Sequence, residues 1–441
     1  MRDLLVAMIV FGSLPFILKR PFWGILLLAG LGYMNPHRLC YGFMLSMPVV
    51  QIVAITTMLG MLFSKEAKRI VWSREIVVLV IFVAWMGITT SLAFNPAAAL
   101  LQYEKVIKIQ ILTFMTLMLL NSRERVTLLV LAIASSLAFY GVKGGIFTIA
   151  KGGVHRVQGP SGTFIEGNNE IALALVMTVP LMYFLYMHGK HKWLKPGLMA
   201  AMVLTAIAAF GTQSRGALVA LILTGSMFWL KSRAKVKTAV ILAVAGLGGL
   251  AFMPPEWFER MNTIKSYDED ASAMGRINAW WTAWNLANDR IVGGGFETWI
   301  PSVFARYAPA MDVRDVHSIY FEVLGEHGWP GLILFLSLLV LTWLKCNSII
   351  RFARVQPELA WAKDLAAMIQ VSMIAYMSAG AFLGLAYFDY IYHLIAIIVV
   401  TDRVIRRPLP QTGAANAVAV QQPHQRDQGV GQPGVALDRR S

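Results

Sequence analysis

The stretch DVHSIYFEVLGEHG, residues 315–328, ends the longest hydrophilic part of the chain before its C-terminal tail. Directly after it comes WPGLILFLSLLVLTWLKCNSII, residues 329–350, which is apolar and long enough to cross a bilayer. The hydrophilic part begins near residue 254, and long apolar runs precede it as well. The junction therefore places a histidine, His317, at the mouth of a predicted bundle of membrane helices.

The composition is that of a membrane protein. The chain is 57% hydrophobic and only 14% charged, whereas soluble domains carry about 25% charged residues. A spanning helix needs roughly 20 apolar residues. We predict an all-α polytopic membrane protein with about 12 transmembrane helices. In this count the two short N-terminal runs, 3–18 and 21–34, form one span plus an interfacial segment. The alternative is that both runs span the membrane. The longer runs are 44–64, 75–95, 105–121, 126–149, 168–189, 194–211, 215–231, 236–253, 329–350, 363–385 and 387–403.

Lysine and arginine in alternate short loops predict the orientation, because such loops stay in the cytoplasm. The segment 254–328 belongs to the opposite set and holds six basic and eleven acidic residues. The net charge of +15 is thus mostly positive-inside charge, and no nucleic-acid partner is expected. We divide the chain into four parts: 1–253, the N-terminal part of the bundle; 254–328, a large outward loop domain containing helices; 329–407, the C-terminal transmembrane helices; and 408–441, a disordered cytoplasmic tail.

Several cations lie where a bilayer disfavours them, which suggests a function. Arg215 occurs in TQSRG, residues 212–216, a very short outward connection close to the start of a predicted helix. Helix N-termini and arginine forks both favour phosphate oxygens; the alternative is an arginine that only anchors the turn. Lys105 and Lys108 lie one helical turn apart on a predicted span, and either form an anion site or extend to the interface.

Arg156 lies in HRVQGPSGTF, residues 155–164, where the glycines and the proline predict a folded outer loop. Its side chain is expected either to point toward a ligand or to satisfy loop carbonyls. Asn168 or Asn169 follows, and we expect one of them to cap the next helix.

Arg276 shares a predicted helix face with Trp280 and Trp284 at i, i+4 and i+8. Tryptophans here either anchor the loop at the interface or form a platform for a sugar or lipid. Gly293-Gly294-Gly295-Phe296 predicts a tight turn that lacks the Gly-Lys-Ser/Thr of a phosphate-binding loop.

His317 is predicted to begin a helical stretch on whose face Tyr320, Phe321 and Leu324 also lie. Histidine is the usual proton-transfer group near neutral pH, although a histidine beside aromatic residues is often only a packed one. No metal site and no cofactor are predicted. The dense acidic cluster Asp268-Glu269-Asp270 is interpreted as a solvated loop, and no His-Glu-x-x-His pattern occurs. Arginines would then neutralise the phosphate charge.

Three short motifs in this order resemble the O-antigen ligase (WaaL) family of the O-antigen ligase/polymerase superfamily. They are Arg156 before Asn168-Asn169; TQSRG, residues 212–216; and HSIYFE with GEHG, residues 317–328. The run YMNPHR, residues 33–38, resembles the branch of O-glycosylation ligases associated with exosortase systems.

The resemblance implies a GT-C-like, inverting and metal-independent glycosyltransferase in the bacterial inner membrane, with its active site facing the periplasm. The donor would be a glycan on undecaprenyl diphosphate, and the acceptor a sugar of lipid A–core. Arg215 and Arg276 would bind the diphosphate, and His317 would orient or deprotonate the acceptor hydroxyl. Arg156, Lys105 and Lys108 would be supporting cations.

Two alternatives remain. A Wzy-type polymerase or a protein O-oligosaccharyltransferase would use the same donor chemistry with another acceptor. A transporter or flippase would carry its ionisable groups near the bilayer midplane, often in repeated halves. The cations here crowd the outward end and no internal repeat is visible, which favours an enzyme.

Overall fold

The computed structural model describes residues 1–66, 68, 70, 72–189, 192–232, 234–262 and 271–406. Within these ranges the chain forms α-helices and short 3-10 helices, without a β-strand. The all-α prediction is therefore confirmed. The predicted disordered tail, 408–441, and the cluster Asp268-Glu269-Asp270 lie outside the described residues.

Sixteen α-helices follow one another along the described chain. Three short 3-10 helices connect some of them: Pro36–Leu39, Phe43–Leu45 and Pro357–Leu359. The α-helices are α1 (Arg2–Lys19), α2 (Phe22–Tyr33), α3 (Val49–Phe63), α4 (Arg74–Ser91), α5 (Pro96–Leu119), α6 (Arg123–Ala150), α7 (Asn168–His188), α8 (Leu194–Gly211), α9 (Arg215–Lys231), α10 (Lys235–Phe252), α11 (Pro255–Asn262), α12 (Ala271–Asp289), α13 (Pro301–Tyr307), α14 (Ile319–Ala353), α15 (Ala360–Gly380) and α16 (Asp389–Arg406).

Every apolar run interpreted as a span forms a helix over most of its length. In the part of the chain that the structure describes, six helices are long and apolar enough to cross a membrane: α4, α6, α7, α8, α10 and α14. These helices support a multi-pass membrane protein. The number of about 12 spans and the outward position of 254–328 remain predictions.

The interior of the bundle forms around α7. In the most apolar window of α7, 72% of the residues are buried, whereas the corresponding window of α10 has 0% buried. Helix α7 packs against α6, α8, α9 and α15, and α10 packs on α9. Residues Met1–Ile405 thus form one compact unit, in which α7 is among the most buried helices and α10 is the least buried of the six.

Helices α6 and α8 approach each other closely because glycine lies at their contact. A Cβ atom at Gly141 would lie 2.1 Å from Thr205 Oγ1, and one at Gly145 would lie 2.3 Å from the carbonyl oxygen of Leu204. Small residues allow such backbone approach in membrane helix pairs, where packing drives the association. This contact fixes α8, which leads directly into the turn that carries Arg215.

The segment 254–328 is helical, as predicted, and contains α11, α12, α13 and the first part of α14. The predicted tight turn is also present, since Gly293 and Gly295 have positive φ angles of 63° and 78°. The backbone N–H groups of Gly294 and Gly295 donate to the carbonyls of Gly325 and Glu326, both at 2.8 Å. The turn is therefore fixed to the beginning of α14.

The predicted helical position of His317 is wrong. Helix α14 begins at Ile319, Ser318 is its N-cap residue in an extended conformation, and His317 lies before it with φ at 43°. A left-handed residue cannot continue into a right-handed helix. His317 therefore does not share a helix face with Tyr320 and Phe321.

Candidate functional site

A cavity that is open to solvent brings together residues that are far apart in the chain. It forms where the beginning of α7, the beginning of α9, α12 and the end of α15 meet. Its two cationic lining residues are Arg215 and Arg276, both half-buried. The lining residues are Asn169, Ser214, Arg215, Gly216, Ala217, Arg276, Ala379, Phe382 and Leu383.

Arg215 is held at the first position of α9, as the sequence predicted. The preceding residue, Ser214, is the N-cap, and its Oγ accepts a hydrogen bond of 3.2 Å from the backbone N–H of Ala217. Gln213 turns the chain with a φ of 54°, so that α8 and α9 are joined by only three residues. The cavity thus receives a guanidinium group together with a capped helix N-terminus.

Two further motifs pack on this turn. The side-chain amide of Gln213 donates to the carbonyls of Gly153 and Val154, both at 3.0 Å, and Arg156 Nε donates to Gln213 Oε1 at 3.4 Å. Asn168 Nδ2 donates to the carbonyl of Thr212 at 2.9 Å. The Arg156 loop and Asn168 therefore both meet the TQSRG turn, although Arg156 does not line the cavity.

The predicted capping role of the asparagines is wrong. Helix α7 begins at Asn168, its N-cap is Gly167, and no side chain caps it. Asn168 instead connects α7 to the turn between α8 and α9, and Asn169 lines the cavity. An asparagine amide can donate to any carbonyl within reach, and the carbonyl that Asn168 reaches is that of Thr212.

Arg276 enters the cavity from α12. Trp280, one turn further along, donates from its indole Nε1 to the carbonyl of Val316 at 2.8 Å. Its ring stacks on Phe321, with centroids 5.1 Å apart and planes 9° apart, and lies 6.3 Å from the ring of Phe382. Trp280 therefore holds α12 against the loop that carries His317 and against one wall of the cavity.

His317 is beside the cavity but is not among its lining residues. The neighbouring residue Val316 accepts the hydrogen bond from Trp280. The Nδ1 atom of His317 lies 3.3 Å from Asp315 Oδ2. Asp315 in turn lies beside Gly384, one residue after the lining residue Leu383. The imidazole is 39% exposed, so it is accessible from solvent.

Lys105 and Lys108 lie elsewhere. Both are exposed on α5, which packs against α4 and α2, and the cavity lining includes neither. Lys108 Nζ forms an ion pair of 2.5 Å with Glu104 Oε1. The arrangement gives these lysines no direct contact with the cavity.

Two carboxyl groups near the site were not predicted from the sequence: the half-buried Glu322 and the buried Glu326. Glu322 Oε2 accepts from the backbone N–H of Ala386 at 3.0 Å. Glu326 Oε1 accepts from the backbone N–H of Glu297 at 3.0 Å, and its Oε2 accepts from the hydroxyl of Tyr387 at 2.6 Å. They hold the chain around residues 385–388 and the glycine turn against α14. Their i, i+4 spacing was the signal that could have revealed them.

The run YMNPHR also reaches this region. Asn35 has a left-handed φ of 48°, and Pro36–Leu39 is a 3-10 helix. The guanidinium of Arg38 lies beside Gly162, in the loop that carries Arg156. Burial and the nearby charge of Arg38 lower the pKa of His37. The N-terminal motif is therefore joined to the 155–164 loop.

The described residues contain no group of three or more histidine, cysteine, aspartate or glutamate side chains that could hold a metal ion. Within those ranges, the charge in the cavity comes from guanidinium groups of the chain itself.

Residues 200–336 match the family model described as O-antigen ligase (Wzy_C), and residues 1–190 match a family of unknown function (DUF5935). The first match contains Arg215, Arg276 and His317. No curated protein matches the chain. Members of the Wzy_C family are glycosyltransferase-like enzymes, which supports a glycan-transfer function of the ligase or polymerase type. Residues 200–336 therefore match a domain of the O-antigen ligase type, which supports the O-antigen ligase superfamily.

Proposed function

We propose that the protein is an O-antigen ligase. It transfers a glycan from undecaprenyl diphosphate to a sugar of lipid A–core, on the periplasmic side of the bacterial inner membrane, with inversion and without a metal ion. The observation that carries this proposal is the convergence of Arg215 and Arg276 on one cavity beside His317. The O-antigen ligase match, residues 200–336, includes all three.

The cavity suits a lipid-linked diphosphate in the charge and the polarity of its lining residues. Two guanidinium groups offer paired N–H donors to phosphate oxygens, and the N-terminus of α9 adds a partial positive charge. The apolar side chains of Ala379, Phe382 and Leu383 form another part of the wall. An amphipathic donor, with an anionic headgroup on an isoprenoid chain, fits such a site.

The proposed reaction is a single displacement. The acceptor hydroxyl oxygen attacks the anomeric carbon, and the bond from that carbon to the diphosphate oxygen breaks. The electron pair leaves on the diphosphate, whose growing negative charge Arg215 and Arg276 neutralise. His317 takes the proton of the acceptor hydroxyl. One displacement inverts the anomeric configuration.

Glycan transfer by the purified protein in lipid nanodiscs tests the proposal. Undecaprenyl diphosphate-linked glycan and lipid A–core are supplied with an excess of EDTA, and products are separated by electrophoresis and mass spectrometry. Glycosylated lipid A–core is the expected product. A lengthened lipid-linked glycan would assign a polymerase instead, and a glycosylated added protein would assign an oligosaccharyltransferase. Loss of product with EDTA would contradict the metal-independent mechanism.

Single substitutions test the residues. Arg215→Ala and Arg276→Ala should each lower the transfer rate by about 100- to 1000-fold, the typical effect of removing one electrostatic stabiliser of a transition state. His317→Ala should lower it by about 100- to 10,000-fold. The matched control is Arg306→Ala, because Arg306 is 64% exposed on α13 and pairs with Asp289. Full activity in both arginine variants would remove the cavity from the mechanism.

A further inference from the structure

Among the described residues, Asp315 carries the carboxylate that is paired with His317. The two side chains belong to the loop between α13 and α14, and Asp315 Oδ2 lies 3.3 Å from His317 Nδ1. The inference rests on the proposed function, because it assigns the carboxylate that prepares the imidazole for that reaction.

The loop holds the pair in a fixed place. Asn278 of α12 donates to the carbonyls of Ala310 and Asp312, at 2.9 and 3.2 Å, and accepts from the N–H of Ala310 at 3.0 Å. Further along, Val316 is fully buried and receives the indole N–H of Trp280. Tertiary contacts therefore hold the loop before Asp315 and the residue between Asp315 and His317.

The backbone of His317 is itself unusual. Its φ of 43° lies in the left-handed region, which non-glycine residues rarely occupy. Such conformations persist only where the surroundings determine them, and they concentrate at functional sites. Here the left-handed turn separates the imidazole from α14 and leaves it beside Asp315.

The other nearby carboxylate has a different partner. Glu322 is half-buried, and its Oε2 accepts the backbone N–H of Ala386 at 3.0 Å. A Cβ atom at Gly384 would lie 3.5 Å from Asp315 Oδ2 and 3.6 Å from Glu322 Oε2, so both carboxyl groups lie beside this glycine. Asp315 is 54% exposed and faces the imidazole, whereas Glu322 holds the backbone.

We infer that Asp315 is the positioning residue of His317. Its carboxylate keeps the imidazole proton on Nδ1, so that Nε2 carries the free electron pair toward the acceptor hydroxyl. When Nε2 takes the hydroxyl proton, the imidazolium forms opposite the carboxylate, which stabilises it. The hydroxyl oxygen then bonds to the anomeric carbon as the diphosphate leaves.

Three variants test the role: Asp315→Ala, Asp315→Asn and Asp315→Glu. Transfer from undecaprenyl diphosphate-linked glycan to lipid A–core is measured as kcat and KM for the donor. We expect kcat to fall about 100-fold or more in the alanine and asparagine variants with an unchanged KM for the donor, and the glutamate variant to recover part of the rate. Asparagine should do no better than alanine, because its amide N–H₂ favours the tautomer with the proton on Nε2.

Asp312→Asn is the matched control, since Asp312 lies in the same loop and its carboxylate pairs with Arg314 at 2.9 Å instead of a histidine. A second measurement needs no activity. In protein labelled with ¹⁵N-histidine, the wild type should show His317 as the Nδ1–H tautomer, assigned by its loss in His317→Gln, and Asp315→Asn should lose that signature. An unchanged tautomer or an unchanged kcat overturns the inference.

The outcomes separate the two proposals. If His317→Ala keeps full transfer, the proposed function of this site fails. If His317→Ala is inactive while all three Asp315 variants are fully active, only the positioning role fails.

Discussion

At the scale of single residues, the site depends on contacts that hold charged groups in place. Arg215 and Arg276 reach one cavity because Ser214 caps α9 and Trp280 fixes α12 to the His317 loop. Glu326 also holds neighbouring segments in place. Its two carboxylate oxygens accept hydrogen bonds from the hydroxyl of Tyr387 and from the backbone N–H of Glu297, which joins both to α14. The two arginines and Trp280 could be singled out from the sequence, whereas Glu326 and the partners of all four could not.

Tyr387→Phe tests this support. The substitution removes the hydroxyl that donates to the buried Glu326 and leaves that oxygen without the bond. We expect a destabilisation of about 1–3 kcal/mol, measured by thermal unfolding of the protein in nanodiscs. Tyr41→Phe is the control because Tyr41 is 88% exposed, and it should unfold like the wild type. Equal stability of the two variants would show that the Glu326–Tyr387 contact contributes nothing.

At the scale of helices, the beginning of α9 and the break in α14 shape the site. Helix α9 begins at the cavity with a serine cap. Helix α14 breaks at Gly328, whose φ of 65° and ψ of −170° belong to a region that only glycine occupies readily. The break lets the first part of α14 pack against the glycine turn while the second part continues into the bundle.

Ser214→Ala should cost about 1 kcal/mol of stability by removing the cap, and should also reduce transfer by weakening the placement of Arg215. Ser122→Ala is the matched control, since Ser122 caps α6 by accepting from the N–H of Arg125 at 3.3 Å, far along the chain from the cavity residues. Thermal unfolding measures the stability of each variant, and initial rates at several donor concentrations give its KM for the donor. We expect similar stability losses but a raised KM for the donor only in Ser214→Ala; an unchanged KM there would contradict the argument.

Gly328→Ala tests the break in α14. A Cβ atom there would lie 2.0 Å from the carbonyl oxygen of Ile291, and the backbone conformation itself costs a non-glycine residue about 1–3 kcal/mol. We expect a large loss of thermal stability and of folded yield, read by size-exclusion chromatography. Gly246→Ala on α10 is the control, because a Cβ atom at Gly246 would meet no atom within 4 Å. Equal folded yields of the two variants would mean that the break in α14 tolerates a residue other than glycine.

At the scale of the whole molecule, the proposal requires the cavity to face the periplasm. Cysteine labelling measures this directly, and the two native cysteines, Cys40 and Cys346, are buried and give little background. Ser302→Cys on α13 and Glu358→Cys after α14 each place a thiol at an exposed position. A membrane-impermeant maleimide should label Ser302→Cys in spheroplasts, but should label Glu358→Cys only after lysis. The reverse pattern would place the cavity on the cytoplasmic side and end the proposed function.

The sequence by itself determined the helical, membrane-type architecture, because apolar runs of spanning length and sparse charge leave few other structures. It also singled out Arg215, Arg276 and His317, since cations and histidine at such places are costly and unusual. Only the tertiary structure decided which of these residues meet. Arg215 and Arg276 share a cavity while Lys105 and Lys108 lie on α5, and His317 lies outside the helix in which its spacing placed it. Local patterns fix helices through backbone hydrogen bonds, but the convergence of distant side chains depends on packing between helices, which no short stretch of sequence encodes.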